Sequence, residues 1–201
     1  MSELEILYDH YKDTYSLSKQ AQDKRNKYFL FICIIEFTLF FFVFRPNETT
    51  SILLGLLSNI SNTHIALSVQ VLQCFLWVIL VYFSIRYCQS NLYVEKQYKY
   101  LERLEIEISS KLSDFNLNRE SGNYLDKYPK ALDFIHIFYT WVFPVLYVII
   151  NFIKISSEWI FKQNVVISII DSVFCIFCFI LMYLYFIEIH PRLKLKKDGQ
   201  A

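Results

Sequence analysis

The stretch RYCQSNLYVEKQYKYLERLEIEISSKLSDFNLNRESGNYLDKYPK, residues 86–130, is hydrophilic and carries eight of the chain's twenty Lys and Arg residues. It separates two pairs of hydrophobic segments, each about 20 residues long, which is the length of a helix that crosses a bilayer core of roughly 30 Å. Once this stretch is placed on one side of a membrane, every other segment has a forced position. The sequence therefore predicts an all-α protein with four transmembrane helices.

The composition is typical of a membrane protein. Of the 201 residues, 55% are hydrophobic and 18% are aromatic, more than a soluble chain of this length usually carries. The formal net charge is only +1, so the overall charge does not indicate a nucleic-acid partner. The first hydrophobic run begins only near Phe29 and lacks a small-residue cleavage site, so we expect no cleavable signal peptide.

The polar and hydrophobic stretches divide the chain into five segments. We predict a cytoplasmic N-terminal helix at 1–27, a first transmembrane pair at 28–87 with an external connection at 46–64, a cytoplasmic helical segment at 88–131, a second transmembrane pair at 132–187 and a basic cytoplasmic tail at 188–201. The individual spans are predicted at Tyr28–Phe44, Ile65–Tyr87, Leu132–Ile153 and Gln163–Ile187, with a short loop at Lys154–Lys162. Pro144 should kink the third span near its middle.

Both polar segments contain an amphipathic helix. The N-terminal helix repeats apolar residues at i+3 and i+4 spacing, at Leu4, Leu7, Tyr11 and Tyr15. The helix Ser90–Leu112, which should continue the second span, has a similar stripe at Tyr93, Tyr100, Leu104, Ile108 and Leu112. A helix with one apolar stripe needs a partner, so we expect the N-terminal helix to run straight into the first span and to dock on the cytoplasmic segment. A solvated leader is the alternative.

The external connection contains an apolar run, Ser51–Ile60, that is too short to span a membrane. It could form an interfacial or re-entrant helix, or it could be a loop lying on the bilayer surface. We favour the loop. The pattern leaves the role of this run open.

The distribution of basic residues predicts the orientation in the membrane. Residues 1–27, 86–130 and 192–197 together carry seventeen Lys and Arg, whereas the opposite side has only Arg45, Lys154 and Lys162. Cytoplasmic loops are enriched in Lys and Arg. We therefore expect a multi-pass protein with both termini in the cytoplasm and with the basic residues close to membrane lipid.

No catalytic signature is present in the sequence. We find no Gly-rich phosphate loop, no HExxH, no GxSxG and no zinc-type Cys/His array. Cys175 and Cys178 have CxxC spacing, but they lie in a hydrophobic span where a thiolate is disfavoured, so packing is the expected role. We predict that the protein is not an enzyme and needs no cofactor or metal.

Polar residues inside the predicted spans are the candidate functional residues. Glu36 and Asp171 are acids in a region where a charge costs about 2.5–3.5 kcal/mol on insertion scales, and such acids commonly mark a pathway or relay. Gln70, Gln73 and Asn151 could line the same path, although helix-to-helix hydrogen bonding is their simpler role. No Lys or Arg is expected within the spans. The acids must therefore be protonated, hydrogen-bonded or wetted.

A single four-helix bundle of this size has little room for an aqueous path once its side chains fill the core. Symmetric association would bring copies of one acid into a ring, an arrangement that selects cations in channels. We therefore expect a homo-oligomer, and a tetramer is the stoichiometry we consider. Glu36 and Asp171 are its pore-lining or gating candidates.

The architecture resembles small multi-span subunits of bacterial antiphage defence systems. The resemblance lies in YDHYKDTYSLSKQAQDKRNKYF entering the first span and NLYVEKQYKYLERLEIEIS leaving the second. A tyrosine-rich helix after a hydrophobic pair is similar to SLATT effectors, and the additional pair looks like the membrane subunits of the Kiwa and Hailong systems. The resemblance implies a bacterial inner-membrane sensor or effector that works as a homo-oligomer with a cytoplasmic partner protein.

Three functions fit these features. The first is a sensor or effector that oligomerises to form or gate an ion-conducting pore. The second is a non-conducting scaffold that recruits a cytoplasmic partner through residues 1–27 and 88–130. The third is a small transporter, but the two hydrophobic pairs show no internal repeat of the kind common in transporters.

Overall fold

The computed structural model describes residues 3–61, 67–112, 137–161 and 164–189, and within these ranges it contains helices and no strands. We name the helices α1 (Glu3–Phe44), α2 (Pro46–Ser61), α3 (Val69–Lys111), α4 (Phe143–Ile160) and α5 (Val165–Ile189). A π-helical turn, Phe138–Val142, directly precedes α4. The all-α prediction is confirmed.

Four helical stretches are long and apolar enough to cross a membrane: Glu3–Phe44, Val69–Lys111, Phe138–Ile160 and Val165–Ile189. Their large apolar side chains lie mostly on the outside. Phe37 in α1, for example, is 64% exposed. A soluble protein rarely leaves such extensive apolar surface in water, so these surfaces are suited to lipid.

The chain folds into two compact units, to both of which α1 and α3 contribute. The first, which we call the hairpin, contains residues 3–28 of α1 and 86–111 of α3. The second, which we call the bundle, contains the described residues 29–85 and 139–189. The predicted continuity of the N-terminal helix with the first span, and of the second span with the following helix, is confirmed.

The hairpin is a pair of antiparallel helices joined by polar contacts along its length. Glu3 pairs with Lys111 at 2.5 Å, and Gln22 Nε2 donates to the Tyr98 hydroxyl at 3.1 Å. The hydrogen bond from Lys111, followed by its charge, lowers the pKa of Glu3 below its usual value. A lowered carboxyl pKa stabilises the fold at neutral pH, and this stabilisation is lost as the pH falls through that pKa. The contribution is small because Glu3 is exposed.

The hairpin core contains the apolar stripe predicted for the N-terminal helix. Its buried members are Tyr11, Leu101, Leu104 and Ile108, with Leu4, Leu7, Tyr15 and Leu112 packed against them. The expected docking of the N-terminal helix is therefore observed. The stripe predicted for α3 is only partly right, because Tyr93 and Tyr100 are exposed whereas Val94 and Leu101 are buried.

Glu105 is a carboxylate that is buried in the hairpin core. It lies outside the apolar stripe predicted for this helix, yet it is buried and accepts a hydrogen bond from the Tyr11 hydroxyl at 2.9 Å. A buried carboxylate needs such donors to offset its lost hydration. Burial of Glu105 is therefore tied to the docking of α1.

The third span extends further than predicted. We expected it to end at Ile153 and to be followed by a loop at Lys154–Lys162, but α4 continues to Ile160. Lys154 and Glu158 are one helical turn apart, and their charged groups lie 2.8 Å from each other. The prediction was wrong because it assumed that charged residues lie in water, whereas this pair faces the interior of the bundle.

The backbone of the third span is disturbed directly ahead of Pro144. The π-helical turn Phe138–Val142 precedes the proline, which is at the first turn of α4 and is buried. Proline cannot donate to the helical ladder, and π turns are a common way of absorbing such an interruption. This disturbance lies in the part of the span where the sequence predicts a kink.

The connection after the first span is helical. Our preference for a loop at Ser51–Ile60 was wrong, since α2 covers the whole run. Pro46 occupies its first position, where a missing N–H costs nothing. The Thr49 and Thr50 hydroxyls bond to the backbone carbonyls of Arg45 and Pro46, and Arg45 pairs with Glu48 at 2.6 Å. The remainder of the predicted connection, the start of the third span, Lys162 and the basic residues of the tail lie outside the described residues.

We predict that Tyr11→Phe loosens the hairpin. The change removes one hydrogen bond from the buried Glu105 carboxylate, which should cost about 1–3 kcal/mol. Hydrogen exchange of the amides in residues 3–28, followed by mass spectrometry, should become about tenfold faster or more. Tyr8→Phe, an equivalent change at an exposed position of the same helix, should leave the rates within about twofold. Equal rates in the two variants would contradict the proposed role of Tyr11.

Candidate functional site

A stripe of polar residues runs along the buried face of α4. Tyr147, Asn151, Lys154 and Glu158 follow one another at spacings of four, three and four residues, and all are buried. This spacing places them on one side of a helix, and at 1.5 Å per residue the stripe is about 16 Å long. The opposite face of α4 is apolar and exposed, as expected for a surface facing lipid. The bundle therefore buries polar residues among apolar ones such as Leu39, Trp77 and Leu80, and its outer surface is apolar.

Glu36 and Asn151, two of the predicted site residues, are in direct contact. Asn151 Nδ2 donates to Glu36 Oε1 at 2.6 Å and also to the backbone carbonyl of Tyr147 at 2.8 Å. Glu36 is 5% exposed and therefore faces protein. This agrees with the high free-energy cost of placing a carboxyl group in lipid. Its second oxygen, Oε2, is buried and has no hydrogen-bond partner within the described ranges.

The polar contacts extend from Asn151 to two other helices. The Tyr147 and Ser84 hydroxyls are 2.8 Å apart, which links α4 to α3. On the other side, the Cys175 thiol of α5 lies 3.9 Å from the backbone carbonyl of Asn151. Cys175 and Cys178 are both buried, in keeping with the packing role expected for them.

Asp171 belongs to a second group, which contains charges of both signs. It is 0% exposed and interacts electrostatically with Glu158 and Lys154. Lys154 and Glu158, each 1% exposed, form an ion pair with 2.8 Å between Lys154 Nζ and Glu158 Oε1. Two carboxyl groups therefore share the neighbourhood of one ammonium group. The expectation that no Lys or Arg lies within the spans was wrong.

The two glutamines of α3 have different environments. Gln73 is completely buried, but its amide atoms have no hydrogen-bond partner in the described part of the chain. Gln70, three residues earlier, is only partly buried. Cys74 follows Gln73 and lies beside Asp171. Of the five predicted pore or gating residues, four are therefore buried in the bundle, whereas Gln70 is at its margin.

The chemistry available to these residues is the binding and release of protons or cations. Carboxyl groups, an ammonium group and side-chain amides can exchange protons or replace part of an ion's hydration. The described residues contain no group of three or more His, Cys, Asp or Glu arranged to hold a metal ion.

Sequence reasoning missed Lys154 and Glu158. The signal that could have found them is the helical spacing of the polar residues that follow Tyr147 in the third span. The spacings from Asn151 to Lys154 and from Lys154 to Glu158 are three and four residues, which places these side chains on one face of a helix. A polar stripe that continues through a lysine and a glutamate one turn apart indicates a paired interior position as well as it indicates a loop.

We predict that Lys154→Met strongly destabilises the bundle. Removing one member of a buried ion pair leaves an uncompensated charge and typically costs about 3–5 kcal/mol. The thermal midpoint of the purified protein in detergent should therefore fall. The double variant Lys154→Met/Glu158→Leu should recover part of the loss, because it leaves neither charge of the pair, while Asp171 still lacks its neighbouring ammonium group.

The control for this prediction is Lys12→Met, which removes one member of an exposed ion pair with Asp9. Exposed pairs contribute about 0–1 kcal/mol, so its midpoint should hardly change. If Lys154→Met were as mild as Lys12→Met, Lys154 would have to be in contact with water.

Comparisons with known proteins identify no relative of this chain. None of the protein-family models, the curated proteins or the solved structures matches it. The resemblance to antiphage membrane subunits therefore rests on the sequence features quoted above. The geometry of the polar interior is the basis for proposing a function.

Proposed function

We propose that the protein is a sensor or effector of antiphage defence in the bacterial inner membrane, and that its buried acids gate the passage of protons or other cations. The four apolar helices support the membrane location. The excess of basic residues in the polar segments supports cytoplasmic termini. The resemblance to defence subunits supports the biological role.

The observation that carries this proposal is the number of buried polar atoms that lack partners. Within the described residues, both Gln73 amide atoms, Asn151 Oδ1 and one Glu36 oxygen have no hydrogen bond. Buried polar groups are almost always satisfied in folded proteins, and in a membrane an unsatisfied one costs several kcal/mol. Protons, cations or water that visit the site would satisfy them. A purely structural core gains nothing from leaving so many polar atoms unpaired.

The position of the acids favours gating over lining a pore between copies. We expected symmetric association to place one acid of each copy on a common axis. Glu36 and Asp171 are instead enclosed within their own chain. A path would therefore pass through the interior of each bundle, or would open when its helices separate. Homo-oligomers, as implied by the resemblance, would place several such gates side by side.

The ion pair on α4 supplies a means of switching. Lys154 is one turn from Glu158 on the same helix and interacts with Asp171 on α5. Binding of a proton or a cation by one carboxyl group changes which partner the ammonium group favours. Because the partners are on different helices, such a change alters the attraction between α4 and α5. A signal that reaches the membrane helices can act on the same balance.

We predict that Glu36→Gln and Asp171→Asn reduce ion flux. Each change keeps the size and polarity of the side chain but removes its ability to carry negative charge. The full-length protein in liposomes with a trapped pH dye, under a potassium gradient with valinomycin, should pass protons or cations about tenfold more slowly in either variant than in the parent.

Glu48→Gln provides the matched control, since Glu48 is an exposed acid at the beginning of α2. Its flux should equal that of the parent. The proposal fails if liposomes with the parent conduct no more than empty liposomes, or if both buried-acid variants conduct as well as Glu48→Gln does.

A non-conducting scaffold is the second candidate, and the surface of the hairpin favours it. Apolar side chains such as Ile6, at 53% exposed, and Ile106, at 62% exposed, remain uncovered within the hairpin. Exposed apolar residues on a helix pair are suited to a protein partner. The same surface could also receive the signal for a gate, so it does not by itself separate the two functions.

We predict that Ile6→Ser/Ile106→Ser releases a cytoplasmic partner if the protein is a scaffold, and that ion flux stays at the background of empty liposomes. The partner is identified by crosslinking in intact cells and is then tested as a purified protein. Lys99→Ser, at an exposed polar position of the hairpin, is the control and should retain it. Flux above background in the parent would reject a purely scaffolding role.

A further inference from the structure

The hairpin contains a cavity of about 240 Å³ whose polar lining is rich in hydrogen-bond donors. Gln20 and Lys24 approach it from α1, and Arg86, Gln89 and Ser90 approach it from α3. Two positive charges, two amides and one hydroxyl therefore converge on one space. We propose that this cavity binds a phosphate-bearing anion, held by Lys24 and Arg86, and the proposal does not depend on the ion-gating function.

The charge of the lining distinguishes this cavity from the remainder of the hairpin. The two helices carry acids and bases in alternation along their surfaces, yet none of the described residues that line the cavity is acidic. The nearest acids along the chain, Asp23 and Glu95, are exposed and do not line it. Two cations without a neighbouring carboxylate in the lining create a positive potential that an anion would neutralise.

Arg86 is held in place by contacts with Gln89 and Tyr28. One of its guanidinium nitrogens donates to Gln89 Oε1 at 3.2 Å, and the guanidinium lies 5.8 Å from the centre of the Tyr28 ring. A guanidinium group has five N–H donors in a planar fork that matches the oxygens of phosphate. The contacts with Gln89 and Tyr28 restrict the group while leaving donors for the anion.

The remaining walls are apolar. Leu17 and Ala21 of α1 and Tyr93 of α3 complete the cavity. A site that combines cations with apolar walls suits a phosphate attached to a less polar group. The volume is smaller than the roughly 300–1,000 Å³ of pockets for drug-sized ligands, so a headgroup-sized ligand fits better than a large cofactor.

The sequence positions of the two cations indicate where the phosphate comes from. Lys24 precedes the first apolar span by one helical turn, and Arg86 lies at the end of the second. Basic residues next to the ends of spans meet the headgroup layer of a membrane. The headgroup phosphate of an anionic phospholipid is therefore one source, and inorganic phosphate or a small soluble phosphate ester is the other.

The test is native mass spectrometry of the full-length protein in detergent, titrated with phosphatidylglycerol. We expect the double variant Lys24→Gln/Arg86→Gln to raise the dissociation constant of the first bound lipid about tenfold or more. The control Lys19→Gln/Arg103→Gln removes the same charge from exposed positions of the same two helices, outside the cavity. It should change the constant less than twofold, with helicity by circular dichroism unchanged in both variants.

Two further arms identify the source of the phosphate. Binding of phosphatidylglycerol that millimolar inorganic phosphate does not displace supports a lipid headgroup. Binding of inorganic phosphate alone, lost in Lys24→Gln/Arg86→Gln but kept in the control, supports a soluble anion at the same site. The proposal is overturned if phosphatidylcholine binds as tightly as phosphatidylglycerol with no competition from phosphate. An equal loss in both double variants, or no loss in either, would also overturn it.

Discussion

The ion pair between Lys154 and Glu158, together with Asp171 beside it, is the constraint on which the bundle depends. Charged side chains in the apolar part of a membrane are expensive, and these three are shielded from the outside of their helices. The face of α4 that carries them must therefore turn towards α1, α3 and α5. When this face of α4 is turned inward, the apolar residues on its opposite face contact lipid.

The same residues connect stability with function. Hydrogen bonds such as that between Asn151 and Glu36 fix the rotation of each helix about its own axis. Any other rotation would leave a polar group in lipid, which is costly. Apolar packing alone would specify it less strongly, since lipid tails compete equally well for apolar side chains. The polar groups that orient the helices are also the groups that could carry protons or cations. A change in their protonation therefore acts directly on helix packing.

The hairpin follows the rules of water-soluble helices. Its core is apolar, around Leu101, Leu104 and Ile108, and its exposed positions carry alternating charges. Tyr11 brings Glu105 into that core by donating a hydrogen bond. The two units differ mainly at their surfaces, because the hairpin exposes alternating charges whereas the bundle exposes large apolar side chains suited to lipid.

The sequence by itself determined the number of apolar helices, the continuity of α1 and α3, and the docking stripe of Leu4, Leu7 and Tyr11, since these depend on hydropathy and periodicity along the chain. It also identified Glu36, Asn151 and Asp171 as polar residues inside spans. Only the tertiary structure decided that Lys154 and Glu158 are interior and that Glu105 is buried, because a charged residue is buried only when its partner on the same or another helix is in place. Hydropathy assigns each residue to water or to lipid by itself. It therefore cannot detect two opposite charges that pair with each other in the interior of the protein.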